Sequence, residues 1–421
     1  SAISLGGIVG EVMGAQTDVL IKDVNLNDVT VTAKDGAETE CGIYVGTVRN
    51  ASTTAEAAKT VTLAEVSYEN SSTTGTSPFN EDLVAVAMIG DKGYTNLGLA
   101  IDAVQPDETI VLMSDVTVYG KEAIRSVVNI DLNGYNIAFA PNSKNVRNYF
   151  WVVGGTLKLT GSGMLYETGP YYSPIMVQGS TNPDDANYSV VKVGENVVSK
   201  GWSGLFIDNN SGCGYGVDIT VNGKLISVPD VDGAGGHGLY INGSINKTTG
   251  NVPKILLDGA TLESSGDGMY LAGYADTTIK NSTITASDDG CVGIEIRAGK
   301  LVVENSTITG GSGEVKYDAN GNGTTSINTA ITVSQHTTKL LINGDYESKN
   351  GTEFTFTGGA AFLQINPQDN EQEVVDTISL NIEGGNFDGD VNSENFTKFV
   401  SGGSFTDSQV SKYISDGAKL T

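Results

Sequence analysis

Any chemistry in this chain has to draw on few ionisable nitrogens: 2 His and 24 Lys+Arg stand against 50 Asp+Glu in 421 residues, a formal net charge of −26. His237 sits between Gly236 and Gly238, and downstream come a carboxylate pair, Asp288-Asp289, and the cations Arg297 and Lys300. Paired carboxylates with an imidazole are the residue types of glycosidic-bond hydrolysis, in which one acid protonates the leaving oxygen and a second carboxylate activates water. Asp288-Asp289 lies in a Ser-Asp-Asp-Gly turn pattern, however, the ordinary place for solvated aspartates. A lyase would need a base beside cation-binding acids, and Asp267, Glu295 and Arg297 have the right types if adjacent repeats bring them together. A surface ion pair between Glu295 and Arg297, two apart on one strand, is the plainer reading. Asp318-Ala-Asn-Gly-Asn-Gly323 carries oxygen ligands at positions one, three and five of a calcium-type loop, but Thr329 stands where the bidentate acid belongs, so a Gly/Asn turn accounts for it and metal binding stays open. No phosphate-cradling loop, nucleophile elbow or zinc helix motif is present, and no cofactor is called for.

A second constellation points to binding rather than catalysis. Eight segments, 150–153, 175–178, 205–208, 239–242, 269–272, 294–297, 331–334 and 363–366, alternate apolar and variable residues as half-buried strands do. Aligned, they put Trp151, Met176, Phe206, Tyr240, Tyr270, Glu295, Thr332 and Gln364 at one outward position. Val153, Gln178, Asp208, Asn242, Ala272, Arg297, Ser334 and Asn366 fall at the next. Trp151, Phe206, Tyr240, Tyr270, Asp208, Asn242, Glu295 and Arg297 form the candidate ligand-binding set, because flat rings beside amides and carboxylates suit a neutral glycan. A ladder of rings that only stabilises the sheet, or rings covered by insertions at 181–188 and 248–253, competes with that reading.

The elements that must position these residues repeat along the chain. Ile279-Lys-Asn-Ser-Thr-Ile284 and Val303-Glu-Asn-Ser-Thr-Ile308 are nearly identical, and Leu257-Asp-Gly-Ala-Thr-Leu262, Ile382-Glu-Gly-Gly-Asn-Phe387 and Val400-Ser-Gly-Gly-Ser-Phe405 have the same shape, with looser copies at Val221-Asn-Gly-Lys-Leu225 and Ile342-Asn-Gly-Asp-Tyr346. Steps of 22 and 24 residues between the tightest copies are too short for a propeller blade and fit one coil of a solenoid. Two or three short strands per coil, with 54 glycines to turn the corners, specify a parallel β-helix from about 108 to 405. Right-handedness follows from the general rule for parallel crossovers. Thr95 can cap a short helix whose Leu97, Ala100, Ile101 and Val104 share a face and which Pro106 ends; such a helix would cover the open end of the stack. Residues 1–83 form a separate β-rich repeat section, joined to the 84–421 domain through the Ser/Thr/Gly/Pro stretch at 70–78.

Composition bounds the rest. Strong negative charge excludes a phosphate-backbone binder, so no nucleic acid is expected. Apolar runs are too short to span a bilayer, so no membrane insertion is expected. Cys41, Cys213 and Cys291 give neither a disulfide framework nor a zinc site and read as buried small hydrophobes. The chain opens at Ser1 without a leader pattern and reads as part of a longer protein.

Gly6-Gly-Ile-Val-Gly10 and Cys41-Gly-Ile-Tyr-Val-Gly46 resemble the GGIVG-type repeats, called GLUG motifs, of bacterial surface proteins. The stretches Met88-Ile-Gly-Asp-Lys-Gly-Tyr, Asp107-Glu-Thr-Ile-Val-Leu-Met-Ser-Asp-Val116 and Ile130-Asp-Leu-Asn-Gly134, with the tail Phe399-Val-Ser-Gly-Gly-Ser-Phe-Thr-Asp407, resemble secreted surface proteins of gut Firmicutes. That resemblance implies a right-handed parallel β-helix of the pectin-lyase-like class at the extracellular face of a bacterial cell, and implies no reaction. The His237 set resembles pieces of the polygalacturonase motif, but there the aspartate pairs precede the His, an Asn-Thr-Asp element is required, and Arg297-Ala-Gly-Lys300 is not its cation motif. The expectation is an all-β chain, a right-handed parallel β-helix (solenoid) with a short capping helix and an N-terminal β-rich repeat section. It would act as a non-catalytic, adhesin-like surface module contacting a neutral glycan or a host-surface ligand. A polysaccharide lyase or glycoside hydrolase on the same fold is the alternative, and a purely structural spacer is a third.

Overall fold

The computed structural model describes residues 86–419 apart from 91, 95, 144, 210–213, 243–249, 320–322, 335–343 and 350–353, together with the backbone of ten strands between residues 3 and 74. The chain forms two compact units, Ser1–Tyr119 and Gly120–Thr421. Architecture is all-β.

In the first unit, each early strand pairs in parallel with one from the next repeat. Ile3–Gly6 runs beside Thr39–Gly42 and Val9–Met13 beside Val45–Arg49, so the two glycine motifs stack with Gly6 opposite Gly42 and Val9 opposite Val45. Ala87–Ile89 then pairs antiparallel with both Lys92–Tyr94 and Ile110–Leu112, so Ile110–Leu112, expected within the parallel stack, has an antiparallel partner. The helix Leu97–Ala103 forms where the apolar spacing predicts it and buries Leu97, Ala100 and Ile101. Its cap is Asn96, whose side chain accepts the Gly98 N–H, rather than Thr95, which lies outside the described residues.

The second unit is a parallel solenoid in which three strand rows alternate along the chain. A first row begins Val127–Asp131, Thr156–Thr160, Ser189–Val193; a second begins Ile137–Phe139, Gly163–Glu167, Val197–Gly201; a third begins Lys121–Ile124, Tyr149–Val153, Ile175–Gln178. Each strand pairs in parallel with its counterpart one coil on. Among the described residues the antiparallel exceptions here are the small ribbon of Lys316–Tyr317 with Ser326–Ile327 and a bridge between Ser180 and Tyr215.

Stacking at strand spacing places like on like. Leu225, Leu262, Ile284, Ile308, Phe356, Phe387 and Phe405 are successive partners in the second row, and they are the closing residues of the repeats except at Phe356. The expected copy ending at Tyr346 does not hold. Tyr346 instead stands in the first row opposite Leu301, Ser348 rather than Ile342 continues the Leu257–Ile279–Val303 column, and Ile342 lies outside the described residues. Between the first and second rows the chain must turn through a left-handed residue, filled by Asn281 (φ 53), Asn305 (φ 44) and Gly259 (φ 71). Gly and Asn take that conformation most cheaply, which accounts for the Asp-Gly, Lys-Asn and Glu-Asn variants of the motif. The asparagines also bridge coils: Asn305 Nδ2 donates to Asn281 Oδ1 (2.8 Å) and Asn281 Nδ2 to Asp258 Oδ1 (2.9 Å). At the corner entering the third row, Gly204, Gly238, Gly268 and Gly293 stack so tightly that a Cβ on any of them would lie 2.4–2.7 Å from a carbonyl oxygen of the next coil. Outward charges on the first row alternate, Asp218, Lys254, Asp276, Lys300 in one column and Asp258, Lys280, Glu304 in another. Opposite signs then face each other at each step. Among the described residues no helix is long and apolar enough to cross a membrane.

The turn argument is testable by urea unfolding. Asn281→Ala should cost about 1–2 kcal/mol, because it forces an ordinary L-residue into the left-handed region and removes both bridges, and Asn281→Gly should recover the backbone share of that loss. Equal losses in the two variants would put the whole effect in the side-chain bridges.

Candidate functional site

The third row brings the expected column into register. Trp151 faces Met176, then Phe206, Tyr240, Tyr270, Glu295 and Thr332 follow one per coil. The column fails at its last step: Thr332 pairs with Leu363, and Gln364 pairs with Val333. In the adjacent column Gln178 pairs with Asp208, and Asn242 Nδ2 donates to Asp208 Oδ1 (2.7 Å). Ser334 pairs with Ile365, not with Asn366.

Register does not make these residues an open surface. Trp151, Phe206, Tyr240 and Asp208 are half-buried, but Tyr270 is 2% exposed and Glu295 and Arg297 are fully buried at 0%. Residues 323–326 cover Tyr270, Glu295 and Arg297, and residues 248 and 249 of the 248–253 insertion lie outside the described residues. The Tyr270 hydroxyl donates to Gly323 O (2.8 Å) and accepts from Gly323 N–H and Arg297 Nη1 (both 3.1 Å), while Arg297 Nη1 also donates to Gly323 O (2.7 Å). Glu295 accepts from the Thr325 N–H (2.9 Å), the Thr325 hydroxyl (2.6 Å) and the Ser334 hydroxyl (2.7 Å). Burial pushes the Glu295 carboxyl up, and those donors together with Arg297 pull it back. The surface ion pair expected of Glu295 and Arg297 is thus a sealed polar network that holds a loop down.

The rings also use their faces on one another. Phe206 and Tyr240 stack at 4.7 Å with planes 8° apart, and Tyr240 and Tyr270 at 5.6 Å and 20°. These are coil-height spacings. What Tyr240 turns to solvent is an edge and its hydroxyl, which burial, then Tyr270 and Asp208, pushes up to about 12, so it stays protonated. At the other end Lys121 Nζ lies 3.1 Å from the centre of the Trp151 ring.

Two rings outside the expected set complete the cluster. His237 stacks on Tyr270 (5.4 Å, 21°) and leans on Tyr240 (5.0 Å), and Trp202 stands nearly perpendicular to Tyr240 (6.4 Å, 83°) as a side wall. Both precede a third-row strand by two or three residues at a glycine corner, and a large ring in that otherwise glycine-rich position is the signal that could have found them. His237 Nδ1 is buried 3.4 Å from Asp267 Oδ2, a contact without hydrogen-bond geometry, and Asp267 Oδ1 accepts the Val292 N–H (3.0 Å). Asp267, not Asp288, is therefore the carboxylate beside His237. Asp288 and Asp289 are exposed at a turn, where Asn328 Nδ2 donates to Asp289 (2.9 Å). Cys291 is buried and its thiol is pushed up to about 11 by burial and by Asp267, Asp288 and Asp289, which leaves it protonated and unreactive. Cys213 lies outside the described residues, as does Cys41 beyond its backbone. Among the described residues no group of three or more His, Cys, Asp or Glu is placed to hold a metal ion, and residues 320–322 of the calcium-like loop fall outside them.

Beneath the cluster, Glu167 ties two ring-bearing segments together. Its carboxylate accepts from the Asn142 side chain, from the Tyr171 and Tyr172 N–H groups (both 3.2 Å) and, at 3.4 Å, from the Trp202 N–H. Burial nevertheless dominates and pushes this carboxyl up to about 7. No protein-family model matches the chain, and no curated protein is significantly similar to it.

A folded-state value above the unfolded one means that the native protein holds this proton more tightly. Stability from Glu167 is therefore greatest at low pH and falls as pH rises from about 4.5 to about 7, by roughly 3 kcal/mol. Urea unfolding of the wild type and Glu167→Gln across that range should give a difference that shifts in the variant's favour with rising pH. A pH-independent difference would place the carboxyl's value near that of an exposed glutamate.

Proposed function

We propose that the protein is a non-catalytic, adhesin-like module of a bacterial cell surface, a right-handed parallel β-helix of the pectin-lyase-like class that contacts a glycan through its third strand row. Handedness is supported by the strong preference of parallel crossovers, and the extracellular setting by the resemblance of 88–134 and 399–407 to secreted surface proteins and by the acidic, Thr/Asn/Gly-rich composition. The observation that carries the reading is the half-buried cluster of Trp202, Phe206 and Tyr240 beside His237, bounded by the sealed Met176 and Tyr270. The Tyr240 hydroxyl and the Asp208 carboxylate offer hydrogen bonds to sugar hydroxyls, and Trp202, crossing the stack, offers a ring plane to a sugar face. Against turnover stands Asp267, the one carboxylate beside His237 among the described residues, already engaged by the Val292 N–H. Hydrolysis of a glycosidic bond needs two working acids.

A glycan array with the purified chain, followed by calorimetry on the best neutral glycan, tests this. Trp202→Ala and Tyr240→Ala should each weaken binding by roughly tenfold or more, corresponding to about 1–3 kcal/mol for a lost stacking ring. Pectin, polygalacturonate and alginate should yield no reducing ends or unsaturated products. Product release abolished by His237→Ala would replace the reading with an enzyme, and absence of any glycan ligand would leave a structural spacer.

A further inference from the structure

Cations in this chain are outnumbered 50 to 24, and Lys254, Lys280 and Lys300 on the first row stand opposite acids, yet three other cations converge where the third row begins. Lys121 Nζ lies 3.1 Å from the centre of the Trp151 ring and 6.0 Å from that of Tyr149; the Arg125 guanidinium carbon lies 5.2 Å from the centre of Trp151, and that of Arg147 5.2 Å from the centre of Tyr172. Tyr149 and Tyr172 are themselves 6.1 Å apart, so the three cations share one aromatic floor. All three are exposed, and among the described residues none is in an ion pair with a carboxylate. Lys121 feels its neighbours: burial first, then Arg147 and Arg125, hold its ammonium below the usual lysine range, with Asp208 pulling the other way. Glu122 is on the opposite, buried side of the strand. Gathering three cations with Asp208 as the one carboxylate acting on Lys121, and in no ion pair with it, costs free energy that ring contacts offset only in part, and a bound oxyanion would relieve it.

We propose that Lys121, Arg125 and Arg147, over the Trp151 and Tyr172 rings, form a binding site for an oxyanion group carried on a glycan. Two guanidinium forks fit the oxygens of a sulfate ester or a carboxylate, an ammonium adds a point charge, and the ring edges accept the sugar to which the group is attached. The site rests on the glycan-contact reading only for the nature of the carrier and uses none of the Trp202, Tyr240 and Asp208 contacts.

One polymer in three forms separates the sources: dextran, dextran sulfate and carboxymethyl dextran. The chain has 2 Trp, so Trp202→Phe leaves Trp151 as the single indole and its emission as the local reporter. Dextran sulfate, carboxymethyl dextran or both should shift that emission, more strongly at low salt, while dextran leaves it unchanged. In the same background Arg125→Gln with Arg147→Gln should weaken the response about tenfold or more, whereas Lys254→Ala with Lys300→Ala, on another row, should leave it intact. Circular dichroism melts confirm that the exposed substitutions keep the fold. Absence of any response to both charged polymers, an equal response to dextran, or an equal loss in the Lys254/Lys300 variant would overturn the site. Because Trp202 is already replaced, failure of the neutral-glycan reading leaves this result unaffected. Likewise, loss of the anion response does not bear on Trp202→Ala or Tyr240→Ala binding of neutral glycans.

Discussion

Parallel pairing at one strand spacing per coil is the constraint from which the rest follows. It sets every residue above its counterpart, so a side chain is judged by whether it tolerates a copy or a complement of itself one coil away. Leu, Ile and Phe satisfy this in the inward columns, as Phe356, Phe387 and Phe405 do with centres 4.6 and 4.8 Å apart. Asn satisfies it at left-handed turns by bridging to the next turn, and Gly satisfies it at corners where no Cβ fits.

The same constraint reshapes the outward rings. Aromatics placed one per coil stack on one another before they stack on anything else, so the regularity that suggests a sugar platform also consumes the platform's faces. Recognition then falls to what breaks the ladder. Trp202 and His237 come from corners rather than strands, and Lys121 sits on Trp151. Glu167 connects these features, since its acceptor oxygens hold the 171–172 and 202 backbones at once.

Much of the column was legible because period-two alternation and the glycine corners fix both facing and register over short, uniform coils, from Trp151 to Thr332. Legibility ended where coils stop being uniform. Thr355–Ile365 is a single 11-residue strand that serves two rows, and it sets Phe362 rather than Leu363 opposite Ile331, so aligning 363–366 by its apolar alternation lands one residue late. The Ile342 copy failed because its Asn-Gly-Asp sequence imitates the repeat, while Gly344 and Asp345 already belong to a strand whose register follows Tyr346 and Ser348. Burial of Tyr270, Glu295 and Arg297 had no local signature. Their cover is supplied by residues 26 to 53 positions away, through backbone groups of Gly323 and Thr325 joined by the Thr325 hydroxyl, and backbone partners leave no trace in residue type.

Charge obeys the stacking rule too, and its exceptions differ in kind. In the first row, Asp218 to Lys300 and Asp258 to Glu304 alternate sign at each coil, with Lys280 Nζ 3.4 Å from Asp258 Oδ2. Lys158 opposite Lys192 breaks the alternation on that row, but there two exposed, flexible ammonium groups can turn apart into water, where like-charge repulsion is well screened. Lys121 cannot do the same, because its Nζ is held against the Trp151 ring with Arg125 at that ring's other contact and Arg147 over the adjoining Tyr172. Fixing cations near one another on a rigid aromatic floor keeps a repulsion that flexible surface lysines shed, and a chain this rich in acid had ample means to neutralise it. Among the described residues none of the three is in an ion pair with a carboxylate, Asp208 acting on Lys121 without pairing with it, and that separates a ligand site from incidental surface charge.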